Sequence, residues 1–310
     1  MVIKIGTDCS GIEAPLQALK QMDIPYQHVW SCEIDKHAEK SILANYNPQK
    51  MYHDITKRKH ASLPDVDIYV CGFPCQPFSL MGNKTGTEDS RSNIMYQCIK
   101  VIKKKLPKVF ILENVKNFKF IEKGKPFNYL LKELKGIKNE NKQIAYNVYC
   151  DILNTKDYGI PQNRERIFFI GIRKDIQKAE YTTPDKLPLR NLDDFIIDKT
   201  IHENTKNFKS INTKLKKINY QKNYIFPNSN YVNPLENLCP TLSTRCDMFF
   251  HSTYNRYLTT TECLLLQGFL PDFIQNVSKT QMYKQIGNSM SVNVLRCLFL
   301  KIFSITELID

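Results

Sequence analysis

None of the ten cysteines stands in the C-x-x-C spacing of zinc ribbons and thioredoxin-like sites, so neither a structural metal nor a dithiol site is expected. The amino-terminal stretch MVIKIGTDCSGIEAP lacks a basic segment followed by an apolar run, and Arg296 and Lys301 interrupt the most apolar carboxyl-terminal stretch. Secretion and membrane insertion are therefore not expected, and the thiols should be reduced in a cytoplasmic compartment. Acidic residues are scarce: 31 against 44 basic ones leaves a net charge of +13. That excess favours a polyanionic partner, nucleic acid or anionic membrane. Much of it is Lys beside frequent Asn and Ile, the bias of an AT-rich genome, so charge alone does not decide. There is no internal repeat or low-complexity block. With 310 residues, 42% of them apolar and 24% charged, the chain can form one large α/β domain and a smaller lobe.

The first half alternates short apolar runs with amphipathic stretches. Strands are expected at Val2 to Thr7, His28 to Cys32, Val66 to Cys71 and Val109 to Leu112, each followed by helical spacing. This rhythm predicts a parallel sheet with crossover helices. Asn147 to Leu153 and Arg166 to Ile172 read as two more strands around a turn-rich segment. From about Glu180 to Tyr257 periodicity fades into a Lys-, Asn- and Tyr-rich region, read as a separate lobe. Between Lys199 and Lys222 seven lysines face one acid, Glu203, which makes the lobe a candidate phosphate-facing surface. TTTECLLLQGF then restores helical spacing, with Thr259 or Thr260 as cap and Gly268 as stop, and a final helix is expected near Asn288 or Ser289. The expected division is 1–178, 179–257 and 258–310.

Chemistry concentrates where strands end. The first strand leads through DCSGIEAP into an apolar helix, a layout that cradles nucleotide-like cofactors. With Gly11 its only glycine, it is no G-x-G-x-x-G, and Glu13 would aim a negative charge at a pyrophosphate, which disfavours NAD. A sulfonium cofactor would accept such a carboxylate. Glu33, ending the second strand, can accept hydrogen bonds from ribose hydroxyls. The third strand runs into GFPCQPFS, where Cys75 lies between two prolines at the carboxyl edge of the sheet. The fourth ends in Glu113-Asn114-Val115, bringing a carboxylate to that edge, so a thiol and a carboxylate could attack a ring carbon and hold the adjacent nitrogen. QNRER supplies Arg164 and Arg166.

Together these residues resemble the C5-cytosine DNA methyltransferase family, in the family's order and over nearly the whole chain. The matching stretches are DCSGIEAP, CEIDKHA, HDI, GFPCQPFS, EDSRSNIMY, ENVKNF, YGIPQNRERIFFIG, CPTLSTR, LTTTECLLLQGF and QIGNSMSVNV. The resemblance implies an α/β, Rossmann-like S-adenosylmethionine-dependent methyltransferase fold with a small inserted target-recognition domain. It implies S-adenosyl-L-methionine bound by Asp8, Cys9, Ser10, Gly11, Ile12, Glu13, Glu33, Ile34, Asp54, Ile55, Pro74, Asn288 and Ser289. Double-stranded DNA would be met by Phe73, Gln76, Ser79, Arg91 and Thr241, with Lys214, Lys216 and Lys217 on phosphates. The chain departs from the family's pattern where Thr7 and Cys9 replace an acid and an aromatic, where Glu13 and Ala14 replace two glycines, and where Ile34 replaces a bulkier residue that stacks on adenine.

The resemblance assigns attack on carbon 6 to Cys75, contact with ring N3 and the exocyclic amine to Glu113, and contact with O2 to Arg166, with Arg164 the weaker candidate. The cytosine must be rotated out of the duplex, and the Gln76 to Gly82 loop would close on it. A bacterial or phage-encoded monomer is the default, with a companion restriction endonuclease or a solitary role both open. Three rivals remain: a transfer-RNA enzyme, whose Cys-Phe-Thr signature is absent here; an inactive DNA-binding relative, which should have lost Cys75; and a nicotinamide oxidoreductase, which should have the glycine fingerprint.

Overall fold

The computed structural model describes residues 2–74, 93–201, 224–227 and 235–309. Strands β1 (Ile3–Asp8), β2 (Tyr26–Cys32), β3 (Lys50–Tyr52), β4 (Ile68–Gly72), β5 (Val109–Val115), β6 (Tyr146–Asn154) and β8 (Glu165–Arg173) form one sheet in the order β3-β2-β1-β4-β5-β8-β6. The first five run parallel, and β8 is antiparallel to both of its neighbours. Four expected strands thus appear within a few residues of their expected ends. The short β3 was not anticipated: it is an edge strand whose residues are only partly covered, so it carries no apolar run.

Alternate residues of each central strand feed opposite faces. Ile68, Val70, Val109 and Ile111 join one core with helices α1 (Ala14–Gln21) and α7 (Val292–Ser304). Tyr69, Cys71, Phe110 and Leu112 join the other, with α3 (Asn93–Lys105) and α4 (Lys125–Lys135). Burial on both faces is why these strands read as continuous apolar runs. Gly171 is demanded by packing, since a Cβ there would lie 2.0 Å from the Phe110 ring.

A second sheet has four short strands, β10 (Leu235–Glu236), β9 (Tyr224–Pro227), β12 (Phe249–His251) and β13 (Arg256–Tyr257), in that order, and β7 (Gln162–Asn163) pairs with β11 (Cys239–Pro240). One carboxylate gathers the chain on its way into and out of this region. Glu262, fully buried in α5 (Thr260–Leu266), accepts from the backbone N–H groups of Ile197 and Asp198 on the way in. It also accepts from Arg256 Nη1 at 2.9 Å and Nη2 at 2.6 Å, and from the Thr259 N–H at 2.8 Å on the way out. Burial opposes its charge, but Arg256 and the backbone donors prevail and hold this carboxyl below its usual range. Thr259, one of the two caps expected in TTTECLLLQGF, completes a capping box with Glu262.

The final helix starts later than expected. Asn288 closes α6 (Lys279–Asn288), and α7 begins only at Val292 with Ser291 as its cap. Helix α6 escaped the periodicity reading because Met282 and Ile286 are its only large buried apolar side chains. Among the described residues, no helix is long and apolar enough to cross a membrane.

Candidate active site

The parallel strands end at one edge with Asp8, Cys32, Tyr52, Gly72 and Val115. A cavity of about 450 Å³ opens there. One wall contains Cys9, Gly11, Glu33, Ile34, Asp54, Ile55 and Asn288, and the other end contains Phe73, Pro74, Glu113, Arg164 and Arg166.

Glu33 is held in place by two backbone donors, the Gly11 N–H at 2.8 Å and the Asp35 N–H at 2.9 Å, one to each oxygen. Each oxygen keeps a lone pair for a ligand hydroxyl. Burial raises the Glu33 carboxyl, only partly offset by those donors. Asp54 is lowered, chiefly because its Oδ1 accepts from the Thr56 hydroxyl. Ile34 is 74% exposed and offers a bare apolar face at the cavity.

At the other end, register does the positioning. Val115 pairs with Arg166 and Glu113 with Phe168, so Glu113 and Arg166 are diagonal neighbours on one face of the sheet. Arg166 Nε lies 3.2 Å from Glu113 Oε1. Burial nonetheless raises the Glu113 carboxyl above its usual range, with Arg166 and Arg164 pulling the other way. Arg164 is fully buried and donates to the carbonyls of Leu242, Gly287 and Ser289. Burial, with Arg166 nearby, lowers it to about 9. Asn114 Nδ2 donates to the Phe73 carbonyl at 3.0 Å, anchoring the segment that leads through Pro74 to Cys75.

Several expected cofactor residues do not line the cavity. Asp8 is buried beneath it, bonded to Arg58 and to the Tyr69 hydroxyl. Ile12 is in the core, and the Ser10 hydroxyl turns to Thr7 and the Cys32 backbone. Glu13 is fully buried against Thr7 and Ser31 rather than facing the cavity, so contrary to expectation its charge is not aimed at the place a pyrophosphate would take. Ser289 is buried and offers its carbonyl to Arg164 and Gln267. Phe73, expected to touch DNA, is 2% exposed and packs edge-on against Phe118. Thr241 is exposed, its hydroxyl donating to the Asn163 carbonyl. Cys75, Gln76, Ser79, Arg91, Lys214, Lys216 and Lys217 lie outside the described residues.

The structure adds cavity residues that the sequence reading passed over. Lys284 pairs with Asp35 at 2.8 Å at the cavity wall, a contact between distant segments that no local motif announces. Gly287, inside QIGNSM, also lines it. A Cβ at Gly287 would lie 2.2 Å from the Ser243 backbone, so the close approach of the returning segment requires glycine.

The family description C-5 cytosine-specific DNA methylase matches residues 3–226 and 189–304. The chain is 34% identical over 294 residues to the Type II methyltransferase M1.ScrFI of Lactococcus lactis subsp. cremoris, covering 90% of this chain and 72% of that protein. It is 35% identical over 294 residues to the Type II methyltransferase M.SsoII of Shigella sonnei, covering 89% and 74%. The fold is similar to that of the S. pombe Dnmt2 methyltransferase, with a TM-score of 0.71 at 20% identity over 97% of this chain and 98% of that one.

Proposed function

From the premise that the chain belongs to the C-5 cytosine-specific DNA methylase family and methylates carbon 5 of cytosine in DNA, we propose how its residues divide the work. Cys75 is the nucleophile, Glu113 and Arg166 hold the cytosine ring, and Glu33, Asp54 and Ile34 hold S-adenosyl-L-methionine. The observation that carries this reading is the pairing of buried Glu113 with half-buried Arg166 at the sheet edge, one strand away from the Pro74 that precedes Cys75. The segment 179–257 is the target-recognition lobe, with Lys214, Lys216 and Lys217 directed at phosphates.

The cavity suits the cofactor by the chemistry of its donors. Glu33 retains acceptor capacity for ribose hydroxyls, Ile34 and Ile55 give an apolar bed for an adenine, and Gly11 has nothing within 4 Å of the position a Cβ would take. When bound, S-adenosylmethionine supplies the methyl group as an electrophilic carbon on a sulfonium.

Carbon 5 of cytosine is too weak a nucleophile until carbon 6 has been attacked. The Cys75 thiolate adds to carbon 6, and the electron pair of the 5,6 double bond moves toward carbon 5 and the ring. Glu113 holds a proton against N3 and accepts from the exocyclic amine, a pairing that selects cytosine. Its raised carboxyl suits that role, because burial favours the protonated form. Arg166 donates to O2 as negative charge develops. After methyl transfer, loss of the carbon 5 proton expels Cys75 and restores the ring. The flipped-out cytosine that this requires costs roughly a few kcal/mol of stacking and pairing.

The relatives named above are Type II methyltransferases, which supports a role beside a restriction endonuclease. The test is to incubate wild type and Cys75→Ser with methyl-labelled S-adenosylmethionine and either mixed-sequence duplex DNA or transfer RNA, then digest for 5-methylcytosine. Label in DNA from wild type alone is the expected result. Label confined to transfer RNA, or undiminished in the variant, overturns the reading.

A further inference from the structure

Glu13 occupies a position that penalises it twice. Its backbone is left-handed, φ 61° and ψ 48°, as the cap that starts α1, a conformation that is unfavourable for any residue with a Cβ. Its carboxylate is completely buried, which is expensive without donors. A residue kept in such a place must be held by its contacts. Thr7 Oγ1 donates to Glu13 Oε1 at 2.6 Å and Ser31 Oγ donates at 2.5 Å, while His28 Nε2 stands 3.5 Å away.

Counting protons gives this network a direction. The single Thr7 hydroxyl proton goes to Glu13, so the Ser10 hydroxyl proton is shared between Thr7 Oγ1 at 2.7 Å and the Cys32 carbonyl at 3.3 Å. Ser10 in turn accepts from the Cys32 N–H at 3.1 Å. The single Ser31 proton also goes to Glu13, so in its 2.8 Å contact with His28 the imidazole Nε2 is the donor. The Thr7 and Ser31 hydroxyl protons thus both point to the Glu13 carboxylate, and Ser10 bridges Thr7 to both backbone groups of Cys32.

The same chain of bonds determines where the cavity wall sits. Ser10 lies between Cys9 and Gly11, both on the cavity, and Cys32 precedes Glu33, whose Oε2 accepts from the Gly11 N–H. We propose that Glu13 is a positioning residue for cofactor binding: it touches no ligand, but through Thr7 and Ser10 it locks the Cys9 to Gly11 turn against the end of β2 and so holds the Glu33 carboxylate in place for the ribose. This rests on the assignment of the cavity to S-adenosylmethionine made above.

The test is calorimetric binding of S-adenosylhomocysteine to the full chain, with steady-state kinetics on DNA. Glu13→Gln keeps an acceptor oxygen where Oε1 stands, and should stay within roughly threefold of wild type. Glu13→Gly suits the left-handed backbone better than glutamate does, yet it removes the acceptor. It should weaken binding about tenfold or more and raise the cofactor KM alike, with kcat at saturating cofactor and the KM for DNA unmoved. Loss of folding would instead lower kcat without shifting the cofactor KM. If Glu13→Gly is unfolded at assay temperature, Thr7→Val, which removes one donor, should weaken binding by about threefold to fivefold. Glycine-variant binding as tight as wild type, or an unchanged Thr7→Val where that variant is the readout, overturns the proposal. A wild type that binds no S-adenosylhomocysteine overturns the cofactor assignment itself, and this proposal with it.

Discussion

Glu113 at the sheet edge and Glu262 where the chain enters and leaves the second sheet are both buried glutamates, 8% and 0% exposed, and they titrate in opposite directions. Glu262 collects five hydrogen bonds from Arg256, Ile197, Asp198 and Thr259 and is held ionised. Glu113 has one ion-pair partner among the described residues, the 3.2 Å contact to Arg166, and burial prevails over it. Burial penalises both charges, and the number of donors decides the outcome. A carboxylate that fastens chain segments together is saturated with donors. One with fewer donors beside a cavity is pushed by burial toward its protonated form.

The largest separation between the two should come from Glu113→Gln. Methylation of DNA should fall by about 10²–10⁴-fold, the range of a lost acid–base partner. Stability should respond otherwise. A carboxyl raised by folding makes the native state lose stability as pH climbs from the ordinary glutamate range through the raised value. The glutamine variant escapes that loss, so at pH 8 it should melt no lower than wild type, as scanning calorimetry would show. A clear drop in melting temperature with activity retained would reverse the roles given to the two residues.

Glu262→Ala should do the converse, destabilising the fold by about 3–5 kcal/mol because Arg256 is left buried without its carboxylate. A folded value below the usual range contributes stability above the ordinary glutamate range, lost as pH falls through the lowered value. The gap between wild type and the milder Glu262→Gln should therefore narrow in acid, which denaturant titrations at several pH values would measure. Between the extremes stands Asn114→Ala. It keeps Glu113 but frees the Phe73 carbonyl, so it should cost about 1–3 kcal/mol of stability and slow methylation without altering cofactor binding. Thr259→Ala should have the smallest effect, about 1 kcal/mol from the lost cap, with turnover unchanged.

The sequence revealed most where a physical constraint is local. Strands covered on both faces show as apolar runs, and Thr259 shows as a helix cap because capping bonds join residues three apart. The ENV and QNRER motifs put Glu113 and Arg166 at the right edge. What stayed hidden depends on distant partners. Nothing in Glu165 to Arg173 announces that it enters antiparallel between β5 and β6, although that insertion is what brings Arg166 beside Glu113. The inward turn of Glu13 required knowing that Thr7, Ser31 and His28 would surround it. The second sheet's strands are two to four residues long, too short for alternation to show.

The covalent role of Cys75 is tested most directly with duplex DNA in which the cytosines are replaced by 5-fluorocytosine, incubated with the protein and S-adenosylmethionine. Fluorine cannot leave carbon 5 as a proton does, so the enzyme should stay bonded to carbon 6. Mass spectrometry should then find a cofactor-dependent adduct on the peptide containing Cys75, and none in Cys75→Ser. No adduct with an enzyme that methylates ordinary duplex DNA, or an adduct on another cysteine, would contradict the account.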